Sequence, residues 1–314
     1  MTSIPVFTGR HVEAAVDPVR ALEAVRDAFV AHARGEWTMP PKVYVTNYPA
    51  GDFRAMPALG GGHALLKWVT SFPGNPVRGL PTVTGLVLLS NAETGELEAV
   101  LDAGSVTALR TGAAAVLAAE TLGRPDASSA AVIGAGVNGR AAAATFVARG
   151  RDVALWDVDE NRARRVADEL GATVAGSRAE ALDADVVVTV TPGHEVLFVE
   201  GALRPGQHVS LMGADGPGKA EIAASELARA HVFCDDWEQA SHGGELAAVV
   251  GAGLLGREDV TQIGDVLAGS AEGRRSSEDA TAFDSTGLAL QDLAVALAAL
   301  ERADELDLPA LRLG

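Results

Sequence analysis

AAVIGAGVNGRAAAATFVAR, residues 130–149, joins an apolar run to an alanine-rich segment through three glycines. Gly134, Gly136 and Gly139 form the pattern GxGxxG. Glycines at this spacing permit a tight turn, close approach of the backbone to a pyrophosphate and close packing of helix on strand, and the start of the helix favours the phosphate charge. The stretch therefore predicts a strand, a glycine loop and a helix, RAAAATFVAR from Arg140 onward, that bind a dinucleotide.

An acidic residue follows at the distance that such a site requires. The next apolar run, VALWDV, carries Asp157, 18 residues after Gly139. Its carboxylate is placed to accept hydrogen bonds from an adenosine ribose and would repel a 2′-phosphate, which favours NAD over NADP. Arg162, Arg164 and Arg165 follow closely and favour the opposite choice. A glycine turn in a sheet that binds nothing is the alternative interpretation.

Apolar runs and helical segments alternate along the chain beyond this motif. ADVVVTVTP, QHVSLMGAD and AHVFCDD are strand-like, with helical or loop segments between them. The alternation predicts βαβ units and a Rossmann-type, doubly wound parallel sheet. An alanine-rich helix is predicted just before the motif at residues 105–122, and a last helix at about residues 287–303.

The first third of the chain has a different pattern. Asp17 and Pro18 predict the start of a helix, as an N-cap and a proline at the first helical position, and Gly35 predicts its end. Residues 40–102 are rich in strand segments, two of which NAETGE joins as a predicted hairpin. We therefore expect an α/β protein with two domains: a mixed α/β domain at residues 1–111, completed by residues 287–314, and a dinucleotide-type domain at residues 112–286.

Composition and charge limit the classes of function. The 314 residues are 48% hydrophobic and contain no run of the ~20 apolar residues that a membrane helix needs. The formal net charge of −17 argues against nucleic acid or an anionic membrane as the main partner. Residues 1–111 are nearly neutral, with 9 basic and 10 acidic side chains, which suits a site for a small anion. The N-terminus lacks the features of a signal peptide, so we expect a cytoplasmic protein.

The sequence lacks the motifs that several common kinds of metal and catalytic site require. The single cysteine, Cys234, excludes an internal disulfide and a cysteine-based metal site, and its strand-like context is typical of a core residue. His63, His194 and His242 lie in separate turn-like segments without the spacing of metal ligands. Because neither a GxSxG elbow nor a P-loop is present, hydrolase and phosphotransferase functions are not indicated. We expect no metal site.

Cations in the first third are candidates for binding a substrate carboxylate. Lys67 interrupts the apolar strand ALLKWVTSF, where its ammonium is desolvated unless it is paired. The alternative is a lysine at a strand edge whose amine reaches water. Lys42, Arg54 and Arg110 are further candidates, although Lys42 and Arg54 taken alone are typical of surface residues.

A carboxylate, Asp215, follows the apolar strand VSLM. In open α/β sheets, ligands bind outside the carboxyl ends of the strands, which is where Asp215 is expected. Gly213 and Gly216 beside it are predicted to leave room for a cofactor and a substrate. These residues indicate a general acid/base near a carbon that exchanges hydride. An aspartate–glycine turn is an equally weighted alternative.

Seven segments occur in a characteristic order: RAMPA, KWVTSFPGN, GLPTVTGLVLLSNAETGE, VTALRTGAA, VIGAGVNG, GADGPGKAEI and TAFDSTGLALQDLA. In this respect nearly the whole chain resembles the ornithine cyclodeaminase/mu-crystallin family. The resemblance implies a homodimer of two-domain subunits, in which a Rossmann domain binds the cofactor and a mixed α/β domain supplies the substrate pocket and the dimer interface. Activities in the family include ornithine cyclodeamination, alanine dehydrogenation and imine reduction.

The resemblance also implies roles for individual residues. Lys42 and Lys67 bind the substrate carboxylate, with Arg54 nearby, and Lys67 is also counted as catalytic. Asp215 takes the acid/base position and Thr286 closes the substrate pocket. Arg110 contacts both the substrate and the nicotinamide end of the cofactor. The remaining cofactor contacts are assigned to Thr82, Gly134, Gly136, Val137, Asn138, Gly139, Asp157, Thr191, Met212, Gly213, Lys219 and Ser285.

Two features distinguish branches of the family. Lys42 stands where arginine is more frequent, and GADGPGK is more similar to the dehydrogenase and imine-reductase branches than to the cyclodeaminases, where a cysteine often follows the aspartate. The sequence is therefore interpreted as an NAD-dependent oxidoreductase acting on a small amino acid or its imine. One alternative is an ornithine cyclodeaminase that forms proline and releases ammonia. Another is a non-catalytic binding protein like mu-crystallin.

Overall fold

A computed structural model describes residues 2–216 and 218–313. In chain order, the strands are β1 (Thr2–Phe7), β2 (Val43–Asn47), β3 (Gly51–Gly60), β4 (His63–Ser71), β5 (Val83–Asn91), β6 (Leu97–Asp102), β7 (Ala130–Ile133), β8 (Ala154–Trp156), β9 (Thr173–Val174), β10 (Val186–Thr189), β11 (His208–Leu211), β12 (His231–Cys234), β13 (Val260–Gln262), β14 (Thr281–Asp284) and β15 (Ala310–Leu313). The α-helices are α1 (Gly9–Ala15), α2 (Pro18–Ala33), α3 (Ala103–Leu122), α4 (Val137–Ala148), α5 (Glu160–Leu170), α6 (Arg178–Leu182), α7 (Ala224–Leu227), α8 (Trp237–Gly243), α9 (Leu246–Gly251), α10 (Ile263–Leu267) and α11 (Ala289–Leu300). Short 3₁₀ helices lie at Asn75–Arg78, Arg257–Asp259 and Ala303–Glu305.

The chain forms two compact units. The first unit holds the described residues up to Arg110 together with those from Leu288 onward, and the second unit holds Thr111–Gly287. The boundary between them falls inside α3. Neither unit, within residues 2–216 and 218–313, contains a helix that is long and apolar enough to span a membrane.

The first unit is built on a mixed seven-stranded sheet with the order β15-β1-β6-β5-β4-β3-β2. Strands β2 to β6 run antiparallel to one another in sequence order, whereas β1 pairs with β6 in parallel. Asn91, at the end of β5, bonds back to the backbone of Glu96 at 2.9 Å, so NAETGE is the predicted hairpin connection. Strand β4 lies between β3 and β5 and is therefore an inner strand of the sheet.

Alternation along β3 and β4 gives this sheet two different faces. Lys67 pairs with Met56 on β3 and with Val87 on β5, and all three side chains are buried. The next residue, Trp68, points to the opposite face and is 43% exposed. Leu86, its neighbour in register on β5, is exposed as well. One face of the sheet thus belongs to the core, and the other is apolar and exposed.

Helices α2 and α11 pack together, and α11 covers the buried face of β3, β4 and β5. Helix α2 begins where the sequence predicts it, because the Asp17 carboxylate accepts hydrogen bonds from the backbone N–H groups of Val19 and Arg20, both at 2.9 Å. It ends at Ala33, and Gly35 follows with a φ of 73°. The predicted last helix corresponds to α11, which is almost entirely buried.

The second unit is a Rossmann-type, doubly wound parallel sheet, as the sequence predicts. Its order is β13-β12-β14-β11-β10-β7-β8-β9, and every pair of neighbours is parallel. The direction of winding reverses between β7 and β10, and such a reversal creates the crevice in which open α/β sheets bind ligands. Strands β7, β10, β11 and β14 are buried at every position, as is expected for parallel strands covered by helices on both faces. The buried Cys234 at the end of β12 is the core residue that its context predicts.

The structure corrects the predicted start of one helix. The sequence places the beginning of the helix after the glycine motif at Arg140, whereas α4 already begins at Val137 with Gly136 as its N-cap. The last residues of the glycine motif therefore form the first turn of the helix. An unsubstituted Cα is needed there, since a Cβ on Gly139 would lie 1.7 Å from the carbonyl oxygen of Gly134.

Candidate functional site

The glycine loop of the second unit has the shape of a phosphate cradle. Gly134 adopts a φ of 103°, and a Cβ on it would lie 2.5 Å from the carbonyl oxygen of Val190. Gly136 is different, because an added Cβ would meet open space among the described residues. Packing within the chain does not require a glycine there, whereas close approach of a ligand would. The loop ends at the N-terminus of α4, where Val137 and Asn138 present the first-turn N–H groups that favour an anion.

Asp157 follows β8 and braces this loop from the side. Its Oδ2 accepts a hydrogen bond from the backbone N–H of Ala135 at 2.7 Å, and its Oδ1 accepts one from the N–H of Asp159 at 2.8 Å. Arg162 Nη1 lies 3.5 Å from Oδ2 of the same carboxylate and partly offsets its charge. The ribose contact predicted from the sequence stays a prediction, and the structure adds that Asp157 holds the glycine loop in place.

The remaining predicted cofactor and acid/base residues of the second unit follow three neighbouring strands at one edge of the sheet. Thr191 follows β10; Met212, Gly213, Asp215 and Lys219 follow β11; Ser285 and Thr286 follow β14. Since parallel strands end at the same edge, the sheet brings these segments together.

Asp215 and Lys219 form an ion pair at this edge. The Lys219 Nζ lies 2.5 Å from Asp215 Oδ1, and the two side chains are 26% and 32% exposed, respectively. Ser285 is instead directed inward, because its hydroxyl donates to the buried Asp235 carboxylate at 3.0 Å. Asp215 is thus a partly exposed acid at the edge, and the cofactor contact predicted for Ser285 stays a prediction.

The first unit contains a buried centre of opposite charges around Lys67. The Lys67 Nζ lies 2.9 Å from Oδ1 of Asp292 on α11, and the Arg110 Nε lies 3.5 Å from the same oxygen. Arg110 also donates to the Oε1 of Gln291 at 3.5 Å. Lys67 is only 1% exposed and stands on an inner strand, so the alternative of a strand-edge lysine that reaches water is wrong.

This centre carries one positive charge in excess, because Lys67 and Arg110 share a single carboxylate. Burial lowers the pKa of Lys67 to about 8; the Asp292 charge opposes that shift, while Arg110 and Arg54 add to it. The Oδ2 of Asp292 and the Nε2 of Gln291 are buried without a hydrogen-bond partner among the described residues. A desolvated centre with excess positive charge and an unused donor, the Gln291 amide nitrogen, is suited to bind one small anion.

The other predicted substrate residues of the first unit differ in their surroundings. Arg54 lies on the same face of the sheet as Lys67 and is held by Asp52, with its Nε 2.6 Å from Oδ1 and its Nη2 3.2 Å from Oδ2. Its guanidinium also lies 5.3 Å from the centre of the Tyr44 ring. Arg54 is therefore not the surface residue that it resembles when taken alone. Lys42 is half-buried just before β2, and Thr82 lies just before β5.

The model of the ornithine cyclodeaminase/mu-crystallin family matches residues 6–306, which is most of the chain. The chain belongs to this family. It is 43% identical over 305 residues to an alanine dehydrogenase of Archaeoglobus fulgidus, and the match covers 95% of this chain and 94% of that protein.

Solved structures of the family agree with this assignment. An archaeal alanine dehydrogenase dimer with bound NAD superimposes with a TM-score of 0.93 at 40% identity and covers 100% of both chains. The iminosuccinate reductase of Paracoccus denitrificans in complex with NAD⁺ superimposes with a TM-score of 0.90 at 27% identity, covering 99% of this chain and 100% of that one. The fold of this chain is therefore the fold of NAD-bound members of the family.

Two residues of the charged centre were missed by reasoning from the sequence. Gln291 and Asp292 lie within TAFDSTGLALQDLA, a segment whose only assigned site residues are Ser285 and Thr286. The signal that was available is the same one that singles out Lys67, since a glutamine and an aspartate interrupt an otherwise apolar helix. A carboxylate on a buried helix face needs a compensating partner, and the buried Lys67 is the cation that pairs with Asp292.

Proposed function

We propose that this protein is an NAD-dependent oxidoreductase that exchanges hydride at the nitrogen-bearing carbon of a small amino acid or its imine. The observation that carries the proposal is the excess positive charge of the buried Lys67–Asp292–Arg110 centre, which suits a substrate carboxylate. Membership of a family that includes an alanine dehydrogenase at 43% identity supports the same class of substrate.

The second unit offers a fitting place for the cofactor. The open space over Gly136 and the first turn of α4 would hold the pyrophosphate, and Asp157 the adenosine ribose. The nicotinamide, when bound, supplies the hydride acceptor or donor. Thr191 and Met212 are proposed to line its binding region.

The residues of the chain have distinct chemical tasks in this proposal. Lys67 and Arg110 bind and orient the substrate carboxylate, with Arg54 and Lys42 as supporting cations and Thr286 closing the pocket. Asp215 accepts or donates the proton at the substrate nitrogen, or at attacking water, while Lys219 holds its carboxylate by the ion pair at 2.5 Å. A cytoplasmic location stays a prediction.

Net oxidation and cyclodeamination are distinguished by the fate of the cofactor. The experiment is a screen of small amino acids with NAD⁺, and of the corresponding keto acids with ammonia or amines and NADH, with absorbance of NADH and release of ammonia both recorded. Accumulation of NADH with an amino acid supports the proposal. Release of ammonia from ornithine without net NADH would show a cyclodeaminase instead, and binding of NADH without any turnover would favour a non-catalytic binding protein.

We also propose that the protein is a homodimer whose interface includes the exposed apolar face of the first unit's sheet. Exposed members of this face are Val43, Val45, Leu59, Leu66, Trp68 and Leu86. An exposed sheet face with this many large apolar side chains is typical of an interaction surface. The archaeal alanine dehydrogenase with bound NAD, which superimposes on this fold with a TM-score of 0.93, is a dimer.

Light scattering after gel filtration tests this proposal. The wild type is expected at twice the mass of the chain, and Trp68→Glu is expected to shift it to one chain, because a carboxylate would be desolvated in the interface. Val199→Glu, an exposed valine of the second unit, is the matched control and should leave the dimer intact. A monomeric wild type would contradict the proposal.

A further inference from the structure

We infer that Glu221 is a positioning residue, whose buried carboxylate fixes the two loops that carry Thr191 and Asp215. The inference rests on the proposed function for the roles of Thr191 and Asp215, whereas the geometry around Glu221 does not depend on that function. Glu221 is fully buried in the second unit. Its task would be to hold the loops that follow two adjacent strands, β10 and β11, in one arrangement.

Four hydrogen bonds from both strand ends converge on this carboxylate. Oε1 accepts from the backbone N–H of Thr191 at 2.8 Å and from its hydroxyl at 2.6 Å. Oε2 accepts from the backbone N–H of Gly213 at 2.9 Å and from the hydroxyl of Thr189 at 2.6 Å. Each oxygen therefore binds one strand end through a backbone N–H that has no freedom to rotate away. One side chain thus ties the loop after β10 to the loop after β11.

The backbone of Glu221 is itself held from two sides. Its N–H donates to the Oε1 of the buried Glu245 at 2.7 Å. Its carbonyl oxygen accepts from the N–H groups of Leu197 at 2.7 Å and Phe198 at 3.1 Å. The carboxylate is therefore anchored to segments outside the two loops that it joins.

The position of Glu221 explains why residue 213 is a glycine, and this explanation differs from the one predicted from the sequence. The sequence predicts that Gly213 leaves room for nicotinamide and substrate. A Cβ on Gly213 would instead lie 2.4 Å from the Cδ of Glu221 and 2.5 Å from the backbone carbonyl oxygen of Thr191, so both groups fill the space above this glycine. An added Cβ on Gly216 meets open space among the described residues, and the prediction that this glycine leaves room for a ligand stays a prediction. The glycine at position 213, two residues before Asp215, is thus required by the close approach of both the Glu221 carboxylate and the Thr191 backbone.

Stability alone is a poor reason for this arrangement. Burial raises the pKa of Glu221 and the hydrogen bonds from Thr189, Thr191 and Gly213 oppose that shift, while no cation of the described residues forms an ion pair with it. Burying a carboxylate in this way is costly, and apolar packing would fill the same volume at lower cost. What an apolar side chain cannot do is accept the fixed N–H groups of Thr191 and Gly213 together. The gain is the defined geometry of the two loops.

The test compares Glu221→Gln with a matched control, Glu226→Gln. Glu226 is also fully buried in the second unit, and it accepts the N–H groups of Gly201 at 2.7 Å and Leu203 at 2.6 Å, away from the proposed site. In Glu221→Gln the amide NH₂ must face one of the two fixed N–H groups. Hydrogen exchange should therefore become at least about tenfold faster in peptides covering residues 190–193 and 212–216, and NADH should bind about tenfold or more weakly. Glu226→Gln should lose thermal stability to a similar extent but change exchange only near residues 200–204, with NADH affinity unchanged.

Both readouts are made without a substrate, so they are independent of which amino acid the enzyme uses. Wild-type exchange in both loops together with unchanged NADH affinity in Glu221→Gln would overturn the inference, whatever the turnover. Failure of the proposed function would appear separately, as a wild type that binds NADH but oxidises no amino acid. If Glu221→Gln does not fold, Glu221→Asp keeps the charge on a side chain too short to reach both strand ends. That variant must show faster exchange in at least one of the two loops, and unchanged exchange in both would overturn the inference.

Discussion

The charged centre of the first unit and the carboxyl edge of the second unit handle ionisable groups in opposite ways. In the first unit, Lys67, Arg110 and Asp292 stand on regular elements and are buried, and one carboxylate pairs directly with two cations. In the second unit, the Asp215–Lys219 pair lies in a glycine-rich loop and is partly exposed, while a buried carboxylate beneath holds the loop. A charge fixed by its own strand is coupled to folding, whereas a charge fixed through its loop is not. We therefore expect substitutions in the first unit to affect stability and activity together, and those at the second unit's edge to affect activity alone.

The largest effect is expected from Asp215→Asn, which tests whether a substitution at the edge of the second unit affects activity alone. Loss of a general acid/base should lower kcat by about 10²–10⁴-fold. The melting temperature should change little, because a partly exposed ion pair contributes only about 0–1 kcal/mol. Asp183→Asn, which removes the carboxylate paired with Arg204, is the control and should leave both quantities near the wild type. Normal turnover together with lost stability would show that Asp215 only forms a turn.

Lys67→Met tests the expectation for the first unit, and it should lower both activity and thermal stability. Loss of carboxylate binding should lower kcat/KM by the equivalent of about 2–5 kcal/mol. Asp292 would remain buried beside the more distant Arg110 alone, and breaking a buried pair costs about 3–5 kcal/mol of stability. The double variant Lys67→Met, Asp292→Asn should regain part of the stability but none of the activity. An unchanged melting temperature in Lys67→Met would contradict the expectation that the charge of Lys67 contributes to the folding stability of the first unit.

A smaller effect, on pH dependence, probes the charge of the first unit's centre. The pKa of Lys67 is lowered to about 8, so the free enzyme holds the ammonium below that pH and loses it above. Because the ammonium binds the substrate carboxylate, kcat/KM should decline as pH rises through about 8. Asp292→Asn removes the charge that supports the ammonium, so the decline should begin about one pH unit or more lower. A profile that is unchanged between wild type and Asp292→Asn would contradict the proposed role of the pair.

The smallest effect is expected at the adenosine end of the cofactor site. The wild type should bind NADH more tightly than NADPH because the Asp157 carboxylate repels a 2′-phosphate. Arg162→Ala removes the cation 3.5 Å from that carboxylate and should widen the preference by about fivefold, the order of a surface charge pair at this distance. Asp157→Ala should narrow the preference and weaken both cofactors, since Ala135 loses its acceptor. Titration of the wild type and both variants with NADH and with NADPH measures these changes, and equal affinities in the wild type would contradict the assignment of Asp157.

The sequence was most informative where one residue conflicts with its surroundings. Lys67 in an apolar strand and the glycine loop before α4 were recognisable because each violates a local preference that only a specific environment can satisfy. The partner of Lys67 was not recognisable, because Asp292 lies 225 residues away and the pairing depends on how α11 packs on β4. The sequence singled out Gly213, but it did not reveal the groups that crowd this glycine, because Glu221 and the Thr191 backbone approach it only in the folded chain. Local chemistry could thus be predicted, and the partners supplied by tertiary packing could not.

The two faces of β4 constrain how this protein can change. Lys67, which reaches the charged centre, and Trp68, which is exposed on the opposite face, are consecutive residues. An insertion or deletion of one residue in β4 would exchange the two faces, placing an indole against Asp292 and an ammonium on the outer surface. Insertions and deletions of one residue within this strand are therefore expected to abolish the fold of the first unit, whether they arise by natural mutation or by protein engineering. New substrate ranges must come from substitutions at fixed positions, or from the loops at the ends of the strands.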